Sequence, residues 1–336
     1  MLKIAVAGGS GYGGLELISI LLRHPNVEIK AVSSEQHAGI EVCRLYPHLR
    51  GIVDLRFSPM EEVLSSAADV LFLALPHGKA MHVVPKLPAE LIVIDLSGDF
   101  RLHDPDEFEH YYGFPMTALE SLPEFVYGLP EIGRDSLRGK HRVANPGCFA
   151  TATILALYPL YRESWIDGSV YVDSKTGSSG AGRTPTPGTH HPRRSHSLFP
   201  YKPFAHQHLP EMRQVLANSD NPLIFQAHST PLVRGIFASH YLKLKAPKTA
   251  PQIEELYADY YGREPFVRWI PGMPDSSSVE HSNYVDIAAS TDGEHLIVWS
   301  TLDNLQKGAA GQAVQNMNIL CGFEETTAID QAPLFP

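Results

Sequence analysis

A glycine-rich turn near the amino terminus, Gly9–Gly14, constrains the fold of this chain more than any other feature. It follows an apolar run, Lys3–Ala7, and it precedes a segment whose leucines and isoleucines recur at helical spacing. A second apolar run, Val27–Val32, comes next. Strand, turn, helix and strand in this order predict a βαβ unit, in which the two strands are parallel and the crossover is right-handed.

The glycines in this turn have the G-x-G-x-x-G spacing of a dinucleotide-binding loop. The first glycine allows a tight turn, the second lets the backbone approach a pyrophosphate, and the third lets helix and strand pack closely. The helix amino terminus offers N–H groups to the anion. We therefore expect the whole turn to bind a dinucleotide, through Gly9, Ser10, Gly11, Tyr12, Gly13 and Gly14.

Two further apolar runs extend the pattern, Asp69–Leu75 and Leu91–Leu96, with a predicted helix at His77–Leu87 between them. Such alternation predicts an α/β fold with a doubly wound parallel sheet. Ligands of such sheets bind beyond the carboxyl ends of the strands. We therefore expect the residues after the third strand to contact the cofactor, namely Pro76, His77 and Gly78.

The end of the second strand bears on which dinucleotide is bound. Sites specific for NAD place an acidic residue there to hold the ribose hydroxyls. Here the strand ends in Ser33 and Ser34, and Glu35 follows. The serine hydroxyls favour the 2′-phosphate of NADP, which is the cofactor we predict, while Glu35 keeps NAD open as the alternative.

The sequence pattern changes near Asn145, where the carboxyl-terminal half begins. An apolar helix is predicted at Phe149–Leu157, ending near Pro159, and a long connector rich in glycine, proline and histidine spans Thr176–His208. Connectors of this length are usually functional or disordered. A closing helix is predicted at Ala309–Cys321. Strands are predicted at Ser169–Ser174, Ile236–Lys243, Tyr284–Ala289 and Leu296–Thr301.

Cys148 is the candidate nucleophile. It follows Asn-Pro-Gly and stands in the first turn of the predicted apolar helix, where the helix dipole lowers the pKa of a thiol. The Pro-Gly pair predicts a sharp turn that exposes the side chain, whereas without it a buried core cysteine would be the simpler interpretation. Cys43 and Cys321 lack this setting, and we interpret both as structural.

A cysteine nucleophile needs a base and a group that orients the base. His208 and Glu211 are three residues apart in a predicted helix, so the carboxylate can fix the imidazole tautomer. His206 is expected to face the substrate, and either histidine can be the acid/base. The same residues resemble a metal site, but no third ligand has diagnostic spacing, so we predict no metal.

Two arginines beside glycines are candidates for binding an anionic substrate. Arg183 ends the run Ser178–Arg183, and Arg234 precedes Gly235. Glycines expose backbone N–H groups, and arginine pairs with carboxylate or phosphate through two hydrogen bonds. A solvated surface role is the alternative for each arginine.

Composition excludes several classes of function. The chain has 336 residues, enough for two domains, and a net charge of -10 with no run of basic residues, which argues against nucleic acid. Its apolar stretches are shorter than the ~20 residues of a membrane helix. Its three cysteines lie far apart and suit neither a disulfide framework nor a metal site, so we expect a cytoplasmic protein.

These motifs resemble one family over nearly the whole chain, the N-acetyl-gamma-glutamyl-phosphate reductases, which are NADPH-dependent enzymes of arginine biosynthesis. The matching stretches are GGSGYGGLEL, ALPHG, DLSGDFRL, YGLPE, ANPGCFAT, GSSGAGR, HQHLPE, TPLVRGI and DNLQKGAAGQAVQNMN. An aspartate-semialdehyde or glyceraldehyde-phosphate dehydrogenase shares the chemistry but carries its cysteine in a different local motif.

The resemblance implies a Rossmann domain plus an α+β catalytic domain of the semialdehyde/glyceraldehyde-phosphate dehydrogenase type. The expected boundaries are 1–146 for the NADP-binding domain, joined by the closing segment 304–336, and 147–303 for the catalytic and oligomerisation domain. Homo-oligomers, tetramers or dimers, are implied.

The resemblance also implies roles for single residues. Cys148 is the nucleophile that forms a thioester, and His206, His208 and Glu211 match the histidine motif of the family. Further cofactor contacts fall on Ser179, Gly180 and Asn304, and substrate contacts on Asn145, Arg183 and Arg234.

Two departures from the family pattern concern the substrate. Gln207 replaces the usual arginine between the histidines, and the segment 190–197 (HHPRRSHS) is unusually basic. Close relatives act on aminoadipyl substrates held by a carrier protein, and Arg193 and Arg194 would then dock an acidic surface. We favour a small-molecule acetylglutamyl substrate. The alternative from another class is a nucleotide-sensing protein without turnover.

Overall fold

The computed structural model describes residues 1–216 and 220–334, and these form two compact units. Unit 1 comprises Met1–Pro146 and Ala309–Asp330. Unit 2 comprises Gly147–Gly308 and, of the described residues near the end of the chain, 331–334. Residues 335 and 336, the end of the predicted closing segment 304–336, lie outside the described residues.

Unit 1 is built on a seven-stranded sheet in the order β3-β2-β1-β4-β5-β7-β6, in which every neighbouring pair is parallel. This confirms the predicted doubly wound sheet. The central strands β1, β4 and β5 are almost wholly buried, which explains their continuous apolar sequences. The strands are β1 Leu2–Ala7, β2 Val27–Ser33, β3 Phe57–Ser58, β4 Val70–Leu73, β5 Ile92–Asp95, β6 Val126–Tyr127 and β7 Arg142–Ala144.

Five helices of unit 1 connect these strands. They are α1 Tyr12–Leu21, α2 Val42–Leu45, α3 Met60–Leu64, α4 Pro105–Tyr112 and α5 Pro130–Leu137. The prediction of one helix at His77–Leu87 was wrong, because the chain forms two short 3-10 turns, Ala80–His82 and Val84–Lys86. Gly78 has a φ of 80°, outside the helical region, and Pro85 has no N–H with which to continue a helix.

Unit 2 contains a mixed seven-stranded sheet in the order β12-β13-β14-β11-β8-β10-β9. Strands β8 and β10 are parallel, whereas β11 is antiparallel to both β8 and β14. The mixed sheet confirms the predicted α+β class. The strands are β8 Ile166–Thr176, β9 Phe199–Tyr201, β10 Leu223–Ser229, β11 Ile236–Leu244, β12 Val267–Trp269, β13 Val285–Thr291 and β14 His295–Leu302.

The helices of unit 2 are α6 Cys148–Arg162, α7 His191–Arg194, α8 His208–Leu216 and α9 Ala250–Tyr261. The prediction that α6 ends near Pro159 was wrong, because the helix continues past that proline. Proline has no N–H for the carbonyl of Leu155, and the hydroxyl of Tyr261 donates to that carbonyl instead, at 2.8 Å. The long connector predicted at Thr176–His208 contains α7 and β9.

The chain returns to unit 1 through a π-helical turn, Gln306–Ala310, and a final helix, α10 Gly311–Leu320. Four polar side chains of α10 are fully buried, and three of them, Gln315, Asn316 and Asn318, are hydrogen-bonded within unit 1. Asn316 Nδ2, for example, donates to Gly128 O at 2.9 Å. Gly322, with a φ of 71°, follows the helix as predicted. Among the described residues, no helix is both long and apolar enough to cross a membrane.

Candidate active site

The glycine turn of unit 1 follows β1 and is shaped by close backbone contacts. A Cβ atom on Gly14 would lie 2.3 Å from Gly8 O, and one on Gly9 would lie 2.1 Å from Val32 Cγ1. Both positions therefore exclude a side chain. Gly8 itself has a φ of 88°, in the left-handed region.

The other side of this turn is open. A Cβ on Gly13 would meet nothing within 4 Å, and one on Gly11 would meet only Gly8 O, at 3.8 Å. Gly11 is the N-cap of α1, and no side chain caps that helix end. The first-turn N–H groups are thus available to an anion, and the turn fits the pyrophosphate of a dinucleotide.

The serines at the end of β2 brace the turn. Ser33 is buried, and its Oγ accepts a hydrogen bond from the N–H of Gly8 at 3.0 Å. The hydroxyls of Ser34 and Ser10 lie 2.7 Å apart. A role for either β2 serine in binding a 2′-phosphate remains a prediction. Glu35 is exposed and accepts a hydrogen bond from the N–H of Met60 at 3.2 Å.

Tyr46 also holds this turn, and sequence analysis missed it. Its hydroxyl donates to the carbonyl of Ser10 at 2.8 Å. Tyr46 precedes a short 3-10 turn and has no spacing relation to the glycines, so no sequence pattern marked it.

The segment Pro76–Gly78 follows β4 at the carboxyl edge of the sheet, as predicted. Pro76 and His77 are exposed. The carboxylate of Asp99, which is fully buried, accepts hydrogen bonds from the N–H groups of Gly78 at 2.7 Å and Met81 at 3.2 Å. Asp99 thus fixes the turn, a role that sequence analysis did not assign.

Asn145, a predicted substrate contact, is buried in unit 1 with both ends of its amide engaged. Nδ2 donates to Ala309 O at 3.0 Å, and Oδ1 accepts from Asn316 at 3.1 Å. These bonds tie the strand end before the N-P-G-C motif to the returning segment. The predicted contact with substrate stays a prediction.

In unit 2, Cys148 is the first residue of α6, a helix of 15 residues. Its N-cap, Gly147, makes no side-chain cap, so the helix dipole and the first-turn N–H groups act at the thiol. A Cβ on Gly308 would lie 2.7 Å from Cys148 Cβ. The glycine of the motif DNLQKG therefore provides the space that the cysteine occupies.

His208 lies against the same turn. A Cβ on Gly147 would lie 2.4 Å from His208 Nε2, so the imidazole packs directly over this glycine. Glu211 is fully buried, and its Oε1 accepts the N–H of Gly147 at 2.7 Å. The histidine motif and the cysteine motif are thus locked together. The predicted contact of Glu211 with His208 itself stays a prediction.

His206 is buried and hydrogen-bonds to the first residue of α8. Its Nδ1 accepts the backbone N–H of His208 at 3.1 Å, so the neutral ring carries its proton on Nε2. The ring packs edge-on against Phe149 and Phe225, with centroids 5.3 Å and 5.4 Å away. These contacts hold His206 against α8, and which of His206 and His208 is the acid/base stays a prediction.

Tyr201, at the end of β9, also belongs to the surroundings of Cys148, and sequence analysis missed it as it missed Tyr46 and Asp99. Its ring centroid lies 5.6 Å from that of His206. Burial raises the pKa of its phenol, the negative charge of the Cys148 thiolate raises it further, and Arg194 opposes the shift. The phenol therefore stays protonated close to the thiol.

Ser179, Gly180 and Asn304 also come together in unit 2. Asn304 Nδ2 donates to Ser179 Oγ at 2.9 Å, and Asn304 Oδ1 accepts the N–H of Gly235 at 2.8 Å. A Cβ on Gly180 would lie 3.8 Å from Asn304 Nδ2. Their predicted role in cofactor binding stays a prediction.

The candidate arginines differ in their surroundings. Arg234 pairs bidentately with the buried carboxylate of Asp303, at 2.8 Å and 3.1 Å. Arg183 is exposed. The carrier-protein alternative placed Arg193 and Arg194 on an exposed docking surface, but only 5% of Arg194 is exposed, whereas Arg193 is exposed.

Comparison with family models agrees with this division of the chain. Residues 3–140 match the model described as semialdehyde dehydrogenase, NAD binding domain. Residues 148–304 match the model described as semialdehyde dehydrogenase, dimerisation domain.

Solved structures share the fold. Aspartate semialdehyde dehydrogenase II from Vibrio cholerae, complexed with ASA, has a TM-score of 0.72 at 17% identity and covers 96% of this chain and 98% of its own. Aspartate semialdehyde dehydrogenase with NADP from Candida albicans has a TM-score of 0.67 at 17% identity, covering 95% and 98%.

Two curated relatives are similar over their full length. The N-acetyl-gamma-glutamyl-phosphate reductase of Bacillus cereus is 42% identical, covering 99% of this chain and 100% of the relative. That of Desulforudis audaxviator is 43% identical and covers 100% of both. The resemblance seen in the sequence is confirmed, and the chain belongs to the N-acetyl-gamma-glutamyl-phosphate reductase family of oxidoreductases.

Proposed function

We propose that this protein reduces N-acetyl-gamma-glutamyl phosphate to N-acetyl-glutamate 5-semialdehyde with NADPH, in arginine biosynthesis. Relatives at 42% and 43% identity over the full chain carry the name of this activity. The N-P-G-C motif is present, and the histidine motif is present with Gln207 in place of the usual arginine.

One observation carries the proposal. Cys148 starts a buried helix of 15 residues, and the imidazole of His208 packs over the glycine that precedes it. A thiol at a helix amino terminus beside a histidine is the arrangement of an activated cysteine nucleophile. Glu211 holds that turn through the N–H of Gly147.

The first step is acyl transfer to sulfur. The Cys148 thiolate attacks the acyl carbon, a C–S bond forms, and the bond from that carbon to the phosphate oxygen breaks, so that inorganic phosphate leaves and a thioester remains. Negative charge develops on the acyl oxygen during this step. The N–H groups in the first turn of α6 are suited to stabilise it.

The second step releases the aldehyde. NADPH, when bound, supplies a hydride to the thioester carbon. The acyl oxygen takes a proton from His208 and returns it to His208 as the C–S bond breaks, which frees the thiolate and the semialdehyde. His206 holds the backbone of His208 through its Nδ1.

The residues that would hold the cofactor's phosphates are in unit 1. The open side of the Gly9–Gly14 turn and the uncapped amino terminus of α1 form the anion site. Ser33 and Ser34 at the end of β2 were the sequence's indication of NADPH over NADH, and in the structure both are buried with their hydroxyls bonded to the turn itself. Glu35 is exposed beside them.

We further propose a cytoplasmic homo-oligomer that takes a small-molecule substrate. The model matched by residues 148–304 is named for dimerisation. Tyr171 and Tyr241 pair across β8 and β11, and both are exposed, at 54% and 41%, as expected of a sheet face that a second copy covers. The burial of Arg194 removes one of the two arginines on which docking of a carrier protein rested.

The test is turnover in the reverse direction. Purified protein is given N-acetylglutamate semialdehyde, phosphate and NADP, and formation of NADPH is followed by absorbance. We expect phosphate-dependent turnover with a larger kcat/KM for NADP than for NAD. Folded, NADP-binding protein that shows no turnover with this semialdehyde would refute the proposal, and the aminoadipate semialdehyde would be tried next.

A further inference from the structure

Arg194 is a buried cation in unit 2. It ends the short helix α7, and only 5% of it is exposed. Its neighbour Arg193 is exposed and lies with its guanidinium 5.3 Å from the centre of the Phe199 ring. Adjacent arginines thus occupy opposite environments, and only Arg194 points into the protein.

The hydrogen bonds of Arg194 within the protein are weak. Nη2 donates to the carbonyl of Thr176 at 3.4 Å. That carbonyl already accepts the N–H and the hydroxyl of Thr230, each at 3.0 Å, so both of its lone pairs are engaged. Within residues 1–216 and 220–334, no acceptor reaches the buried Nε or Nη1 of Arg194.

Such a guanidinium is costly for a folded protein. A buried charge normally has a counter-ion and a full set of hydrogen bonds. Burial lowers the pKa of Arg194, while Tyr201 opposes that shift. Two buried donors of this guanidinium, Nε and Nη1, lack an acceptor, which indicates that an anion completes the site when substrate is present.

Arg194 belongs to the site of the nucleophile. Tyr201 is within electrostatic range of both Arg194 and the Cys148 thiolate. The Tyr201 ring contacts His206, whose ring centroid lies 4.8 Å from that of His208. All these residues are in unit 2, and Tyr201 links Arg194 to the group that contains the proposed nucleophile and acid/base.

We propose that Arg194 binds an oxyanion of the substrate, a carboxylate or a phosphate, inside the Cys148 site. The proposal rests on the proposed function, whose substrate carries both groups. A guanidinium forms short, charge-assisted hydrogen bonds with either oxyanion. Arg234, one of the arginines predicted for this role, is already committed to Asp303.

The experiment compares Arg194→Lys and Arg194→Met with Arg193→Met as the matched exposed control. In the reverse reaction, KM is measured separately for the semialdehyde and for inorganic phosphate. We expect one of these KM values to rise about 10- to 100-fold in Arg194→Met, the loss typical of a hydrogen bond to a charged group. Arg194→Lys keeps the charge without the planar fork and should show a smaller rise.

The parameter that changes identifies the oxyanion. A higher KM for the semialdehyde alone assigns Arg194 to the carboxylate, and a higher KM for phosphate alone assigns it to the phosphoryl group. Unchanged KM values in folded Arg194 variants, or a fall in kcat alone, would overturn the proposal. Arg193→Met should behave as wild type, and an equal effect there would mean that general surface charge is responsible.

A second measurement needs no turnover. Inorganic phosphate and N-acetylglutamate are titrated separately against wild type and Arg194→Lys, and the melting temperature is followed. One probe should stabilise wild type and lose that effect in the variant. Equal stabilisation of both proteins by both probes would contradict the role of Arg194. If wild type has no turnover, the proposed function fails, while this measurement still decides on Arg194.

Discussion

Two glycines at the active site act through the side chain they lack. Gly147 leaves room for the His208 imidazole, and Gly308 leaves room for Cys148 itself. Neither has a positive φ, so the requirement is for space and not for backbone freedom. The N-P-G-C motif thus needs its glycine because the His208 imidazole packs where a Cβ would be.

This requirement predicts the effect of Gly147→Ala. The added Cβ would lie 2.4 Å from His208 Nε2, so the ring must move. We expect kcat to fall about 100-fold, as small displacements of a reacting group commonly cause, with NADP affinity retained. Gly188→Ala is the control, because its Cβ would make only ordinary contacts at 3.7 Å or more. Wild-type kcat in Gly147→Ala would contradict the placement of His208.

The cysteines should differ in their reactivity toward iodoacetamide. Burial raises the pKa of Cys321 to about 11, with a further contribution from Asp69, so its thiolate is scarce at neutral pH. Cys148 has the helix amino terminus instead. Brief alkylation followed by peptide mass spectrometry should show Cys148 modified first and Cys321 last. Loss of activity that follows modification of Cys43 or Cys321 would exclude Cys148 as the nucleophile.

At the scale of elements, β5 ends in a buried acid, Asp95. Its Oδ1 accepts the N–H of Ser97 at 2.9 Å, but among the described residues no donor reaches its Oδ2. Burial, followed by the charge of Asp99, raises the pKa of Asp95 from 3.8 to about 6. The end of this strand therefore stores an unfavourable charge at neutral pH.

This charge predicts how stability depends on pH. Because the folded-state pKa lies above the unfolded value, the folded protein binds the extra proton between pH 3.8 and about 6, and stability falls as pH rises through that range. Above about pH 6, Asp95 is charged in the folded protein, and the full cost of burying that charge remains. Melting temperatures of wild type and Asp95→Asn, measured across this range, should therefore diverge as pH rises, with wild type losing stability relative to the variant. Parallel curves would show that Asp95 is not responsible.

Elements with strong local signals were predictable, and those fixed by tertiary contacts were not. The βαβ unit was predicted because β1, the glycine turn and α1 each carry their own pattern. The end of α6 was misjudged, because the hydroxyl of Tyr261 satisfies a carbonyl that Pro159 leaves free. The single helix predicted at His77–Leu87 does not form, and the carboxylate of Asp99 instead accepts the N–H of Gly78 and fixes a turn there.

The site was predictable to the same extent. The motifs indicated Cys148 and His208 as candidates, since a nucleophile and its base have local sequence signatures. Tyr201 and Arg194 lie in a connector without periodicity, and the position of Tyr201 depends on β9 pairing with β10. Nothing in the sequence distinguishes buried Arg194 from exposed Arg193.

At the scale of the whole molecule, the proposed cofactor site is in unit 1 and the proposed nucleophile is in unit 2, so mutations should separate their functions. Cys148→Ser should abolish turnover and leave NADP affinity nearly intact, because the glycine turn is in unit 1. Gly14→Ala should weaken NADP binding, since its Cβ would lie 2.3 Å from Gly8 O and distort that turn, while Cys148 alkylation stays unchanged. Cofactor titration by fluorescence, together with thiol labelling, measures both. Loss of NADP affinity in Cys148→Ser, or loss of Cys148 alkylation in Gly14→Ala, would contradict this division.

The thioester on Cys148 is the central claim, and it can be observed directly. Protein without cofactor is mixed with N-acetyl-gamma-glutamyl phosphate, quenched in acid and analysed by intact-mass and peptide mass spectrometry. We predict an added acetylglutamyl group on the peptide that contains Cys148, absent from Cys148→Ser and discharged when NADPH is added before the quench. Turnover without any acyl group on Cys148, or turnover retained in Cys148→Ser, would contradict the account.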